Sequence, residues 1–69
     1  MKLSARNIIK GKILQIKSGA VNAEVTIQLS CGEQLVSIIT MASVKSLGLK
    51  KGGEAYAVIK ASNVMIAVD

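Results

Sequence analysis

Eight consecutive residues, Asn22-Ala-Glu-Val-Thr-Ile-Gln-Leu29, alternate polar and apolar without a fault. Successive side chains of a strand point to opposite faces, so a period of two builds a strand with one dry face and one wet face. Such a strand is stable only within a larger sheet. With 69 residues to draw on, that sheet must be small and belong to one domain, residues 1–69.

The remaining segments fit around it. Lys10–Lys17 reads as a first strand, and the adjacent Ile13 and Leu14 break the alternation, which predicts a bulge or burial on both sides. Ser18-Gly19-Ala20 turns into the second strand, Asn22–Leu29. Ser30-Cys-Gly-Glu33 is the next turn, with Gly32 supplying a positive φ. Gln34–Ile39 returns as a third strand. A short helix follows, capped by Thr40 or by Ala42-Ser43, with Val44 and Leu47 on one face and Gly48 as its stop. Lys50-Lys-Gly-Gly53 turns again. Glu54–Lys60 is a fourth strand and Val64–Val68 a fifth. The expectation is an all-β fold: a small five-stranded closed barrel of the OB kind, with one short helix.

Composition shows what one copy of that barrel cannot do alone. The chain is 51% hydrophobic with Tyr56 its only aromatic residue, so it carries more aliphatic surface than so small an interior absorbs. Other copies of the same chain would cover the surplus; a tight aliphatic monomer is the alternative. The absence of proline leaves strand edges open to pairing. Nine Lys/Arg against four Asp/Glu give a net charge of +5, which favours anionic partners. A lone Cys31 excludes an internal disulfide and a cysteine-based zinc site. No apolar run reaches the ~20 residues of a membrane-spanning helix. Lys10, Lys12 and Lys17 interrupt the one stretch that could resemble a signal peptide. A cytoplasmic protein is expected.

Two polar knots carry the chemistry. Ser4-Ala-Arg6-Asn7 sets a hydroxyl, a guanidinium and a carboxamide side by side before the first strand. Lys60-Ala61-Ser62-Asn63 follows the fourth strand, and in a short domain the two chain ends commonly lie close together. A fully ionised tetrahedral oxyanion has only acceptors, so its site must be built of donors. Backbone amides, a serine hydroxyl and a cation meet that need, and a small Ala5 allows close approach of the backbone. The plainer alternatives are a solvated arm at Arg6 and a hairpin connection with an outward lysine at Lys60. Thr40 and Ser43 most simply cap the helix, with a second role in anion binding open to Thr40. Without histidine, and without paired carboxylates near the donors, the chain lacks a tuned base or nucleophile for catalysis.

The same residues resemble a known family. Ser4-Ala-Arg-Asn7, Lys10-Gly-Lys12, Asn22-Ala-Glu24, Ser37-Ile-Ile-Thr40, Ser43-Val44, Leu47-Gly48 and Lys60-Ala-Ser-Asn-Val-Met65 together resemble the molbindins, small molybdate-binding proteins built of single Mop domains. The likeness runs from end to end. It implies strand-sharing dimers assembled into a homohexamer, with molybdate or tungstate held at subunit interfaces. By motif, one site uses the Ser4 hydroxyl, Ala5 and Arg6 chiefly through their amides, Lys60, and the amides of Ala61 and Ser62. Thr40 closes that site from a neighbouring chain. Some relatives carry serine where Ala61 stands, which removes one hydroxyl contact here. A second kind of site, on the threefold axis, would use Ser18, Gly19, Ala20 and Asn22. The resemblance implies storage or buffering of the oxyanion, with no cofactor, no bare metal cation, no membrane and no nucleic acid.

The rival expectation is a single-stranded nucleic-acid-binding OB module, suggested by the same barrel and charge. Such modules usually stack bases on aromatic side chains, and here only Tyr56 could serve.

Overall fold

The computed structural model describes residues 1–69. Four antiparallel strands form one curled sheet: β1 (Asn7–Ser18), β2 (Asn22–Leu29), β3 (Gln34–Thr40) and β4 (Glu54–Ile59), in the order β3-β2-β1-β4. A single helix, α1 (Met41–Leu47), links β3 to β4, and a 3-10 turn at Ala61–Asn63 follows β4.

The faultless alternation of β2 places Ala23, Val25 and Ile27 at the centre of the core, joined by Ile13 of β1 and Val44 of α1. On β1 the register against β2 slips between Ile13 and Gln15, which leaves Leu14 as the extra residue of a bulge, as the adjacent apolar pair predicts. The turn before β4 docks at this point. The Ile13 amide donates to the Gly53 carbonyl at 2.8 Å, and the Gly52 amide donates to the Ile13 carbonyl at 2.8 Å. Two residues earlier β1 presses against β2 so closely that only glycine fits. A Cβ on Gly11 would lie 2.5 Å from Ile27 Cγ2 and 2.7 Å from the Gln28 carbonyl oxygen.

Thr40 is the N-cap of α1, its hydroxyl oxygen accepting from the Ser43 amide at 3.1 Å. Gly48 ends the helix in the left-handed region at φ 64°. The face expected from Val44 and Leu47 is only half realised: Val44 is buried, but Leu47 is 67% exposed and Met41 packs inward instead. The first turn of the helix packs on the sheet, whereas Leu47 lines an open apolar hollow beside Val25, Ile27 and Ile39 and keeps its exposure there.

Two expectations are corrected. The sheet has four strands, not five: Val64–Val68 is outside it, with Met65, Ile66 and Val68 each at least 87% exposed. The barrel is therefore open, a half-barrel in which β3 and β4 are unpaired edges. The physical reason is that a strand exists only against a partner, and β4 runs straight into the Ala61–Asn63 turn, which carries the tail off the sheet. An apolar hollow of about 390 Å³, lined among others by Val25, Ile27, Ile39, Leu49 and Ala55, marks the open side.

Candidate functional site

β1 and β4 pair from Asn7↔Ile59 to Lys12↔Glu54, so the residue after Arg6 lies beside the residue before Lys60. That rung brings the two polar knots together. Ser4, Ala5, Arg6, Lys60, Ala61 and Ser62 line one concavity of about 250 Å³, and no other residue contributes to it. Fifty-odd residues apart in sequence, the six form one surface because a single ladder ends there.

Its chemistry is one-sided. Lys60 is extended (φ −63°, ψ 137°) and N-caps the 3-10 turn, its carbonyl accepting from the Asn63 amide at 2.9 Å. The Val64 amide reaches the Ala61 carbonyl at 3.2 Å. The amides of Ala61 and Ser62, on the leading edge of the turn, make no such bond, as expected for the first donors of a helical turn. Ser4 and Ser62 add hydroxyls. Arg6 and Lys60 add charge, and neither has a carboxylate partner, because the one ion pair in the chain joins Lys10 to Glu54. Donors and cations face the concavity, and no carboxylate does.

Thr40 is placed elsewhere. It pairs with Asn22 across β2 and β3, and the Met41 amide donates to the Val21 carbonyl at 2.8 Å. The Gly19 amide donates to the Asn22 carbonyl at 2.8 Å and closes the turn between β1 and β2. Ser18, Gly19, Ala20, Asn22 and Thr40 thus gather at the far end of β1 from Arg6 and Lys60. The Thr40 hydroxyl is also engaged, since it donates to the Ser43 Oγ at 2.9 Å while accepting from the Ser43 amide. Within one chain Thr40 cannot reach the first cluster.

A larger hollow, about 430 Å³, opens on the outer face over Lys10, Lys12, Gln28, Ser30 and Glu54. Volume does not make it the better anion site. Lys10 Nζ sits 3.2 Å from Glu54 Oε2, and that hydrogen bond, then the Glu54 charge and more weakly Tyr56, raise the lysine pKa above its ordinary value. Glu54 already engages Lys10, and its negative charge stands in the same lining as Lys12. No group of three or more His, Cys, Asp or Glu residues is placed to hold a metal ion.

One contact has no counterpart in the motif argument. Asn7 Nδ2 donates to the Ile59 carbonyl at 3.2 Å. Its sequence signal was only its place in Ser-Ala-Arg-Asn; the acceptor, a backbone carbonyl, is invisible in a string of residue names.

The TOBE domain family matches residues 3–66, which spans both polar knots and the whole sheet. The chain belongs to that family. Among relatives of this TOBE domain, a protein of Haemophilus influenzae named probable molybdenum-pterin-binding protein is 51% identical over 69 residues, covering all of both chains. Two solved structures share the fold. A molybdate-binding protein from Sporomusa ovata superposes with a TM-score of 0.92 at 32% identity, covering 99% of this chain and all of that one. The cytoplasmic molybdate-binding protein ModG, in a molybdate-bound form, gives a TM-score of 0.90 at 54% identity, covering 94% of this chain and 46% of that one. The molbindin resemblance carried by the motifs is thereby met.

Proposed function

We propose that this chain binds molybdate, with tungstate as an equivalent guest, in the concavity formed by Ser4, Ala5, Arg6, Lys60, Ala61 and Ser62. The observation that carries the reading is the convergence of two unpaired cations, two hydroxyls and free backbone amides on one hollow with no carboxylate. Donors and positive charge are what a tetrahedral dianion needs from its direct contacts. The relatives' names support it, since they concern molybdenum or molybdate. Of the two chemistries in the name molybdenum-pterin, the inorganic one fits better: no aromatic side chain lines the hollow to stack on a pterin ring.

The site is half of a larger one. Every polar side chain in it is exposed, and a dianion is held tightly only where water is displaced on all sides. A neighbouring copy would supply the cover, with its Thr40 among the closing groups. The same assembly would explain Val64, Met65, Ile66 and Val68, an apolar tail with no strand beside it, and the unpaired edges of β3 and β4. Our reading is strand exchange between two copies and a trimer of such dimers, with a second oxyanion position at the threefold axis built from Ser18, Gly19, Ala20 and Asn22. Six chains at +5 each would draw anions from a distance. The role is storage or buffering of a scarce oxyanion, with no bond broken, in the cytoplasm. No helix is long and apolar enough to cross a membrane. The nucleic-acid alternative gains nothing from the geometry, because Tyr56, the only aromatic, stands beside the neutralised Lys10–Glu54 pair.

Titration calorimetry with molybdate, run alongside sedimentation of the same sample, tests the reading. A multimer that takes up at least one ion per chain is expected. A monomer that releases no heat with molybdate or tungstate overturns it.

A further inference from the structure

We propose that Asn7 is a positioning residue that fixes the distance between the two halves of the oxyanion site. The inference rests on the molybdate reading above and adds to it a residue outside the hollow. Apart from the exposed Lys10–Glu54 ion pair, four side-chain hydrogen bonds occur in the chain, and three of them join residues three apart around α1. The fourth, from Asn7 Nδ2 to the Ile59 carbonyl, spans 52 residues. Its two ends are covalent neighbours of the site: Asn7 follows Arg6, and the Ile59 carbonyl belongs to the peptide that begins Lys60.

Asn7↔Ile59 is also the terminal rung of the β1–β4 ladder. Terminal rungs open readily, since beyond them the backbone has no further partner. Left to itself, this rung would let the segment at residues 4–6 swing away from the turn at residues 60–62. The half-buried carboxamide adds a second tie at that point. Donor groups on both segments then stand at a set separation before the ion arrives. Preset donors bind a guest of one size and lose less freedom on binding. A loosened pair would close on a smaller tetrahedral dianion such as sulfate almost as well.

The test uses the full chain and four proteins: wild type, Asn7→Ala, the near-isosteric Asn7→Leu, and Asn7→Gln, which keeps the amide donor. Calorimetry with sodium molybdate and with sodium sulfate should show a molybdate affinity lower by about 10–100-fold in the alanine and leucine variants, the range seen when groups that orient ligands are removed. The preference for molybdate over sulfate should narrow with it, and glutamine should restore part of both. Without ligand, hydrogen exchange at the two bonded amides of the turn, Asn63 and Val64, should quicken in Asn7→Ala while the β2–β3 amides stay unchanged. Wild-type affinity and wild-type sulfate discrimination in both variants overturn the proposal. So does unchanged exchange at Asn63 and Val64, or a collapse of the whole fold in both Ala and Leu variants while Gln folds. If the wild-type chain itself takes up no molybdate, the reading of the site fails, and the exchange measurement alone decides whether Asn7 holds the two segments together.

Discussion

The middle of the sheet and its β1–β4 end are built on opposite terms. Around β2, the side chains of Ile13, Ala23, Val25, Ile27 and Val44 are all but closed to solvent and pack into one apolar cluster. At the β1–β4 end, Ser4, Arg6, Lys60, Ala61 and Ser62 are exposed, and the tail beyond them is exposed throughout. Only 6 of 69 residues are buried, so one chain closes the first region and leaves the second open to solvent. Stability and binding are thus separable by position, a separation that substitutions can break.

The largest expected effect falls on the core. Ile13→Ala should destabilise the fold by about 2–5 kcal/mol through lost burial and the cavity left behind. Arg6→Ala, on an exposed arm, should leave unfolding within about 0.5 kcal/mol of wild type. Urea denaturation of the two variants side by side measures the contrast. A large loss of stability from Arg6→Ala would mean that the arm belongs to the core and the comparison is wrong.

The next effect runs the other way. Arg6→Ala and Lys60→Ala should each weaken molybdate binding by about tenfold or more, because a hydrogen bond to a charged group contributes roughly 1.5–3 kcal/mol. Ligand-free melting should hardly move, while the rise in melting temperature on adding molybdate should shrink. Equal ligand-induced shifts in wild type and both variants would remove the two cations from the site.

These two regions were also unequally legible in the sequence. β2 could be read directly, because the alternation of side-chain polarity is the fold instruction itself, and at Ile13-Leu14 the structure took the bulge from the two options the sequence left open. So could Gly32 and Gly48, both at positive φ. The six residues of the hollow were named in two separate motifs, and the β1–β4 ladder supplied what the motifs lacked, a reason for them to meet. The fifth strand failed for a different cause. Val64–Val68 has the composition of a strand, but composition states a need for a partner without saying which chain provides it. The hydrogen bond of Asn7 escaped because its acceptor is backbone.

A smaller effect bears on Thr40, an exposed helix cap far from the hollow that we propose also covers the site of a neighbour. Thr40→Ala removes the N-cap and should cost about 1 kcal/mol of stability. Thr40→Ser keeps a hydroxyl and should keep both the cap and the binding. If Thr40→Ala loses stability while molybdate affinity remains that of the wild type, the residue is a cap alone and closure of the site falls to another group.

The smallest effect concerns Lys10 and Glu54, a surface pair lying between the two regions. The hydrogen bond to Glu54 raises the Lys10 pKa above its ordinary 10.5, so the folded state holds that proton more tightly than the unfolded chain does. The stabilisation is fully present below the ordinary lysine value and is lost as pH rises through the raised one. Both side chains are exposed, so the effect is small and screened by salt. Melting temperatures of wild type and Glu54→Gln should differ slightly in neutral, low-salt buffer and converge in strongly alkaline buffer. They should also converge at neutral pH as salt is added. A gap that persisted under both treatments would show that Glu54 acts through packing at the start of β4 and not through its charge.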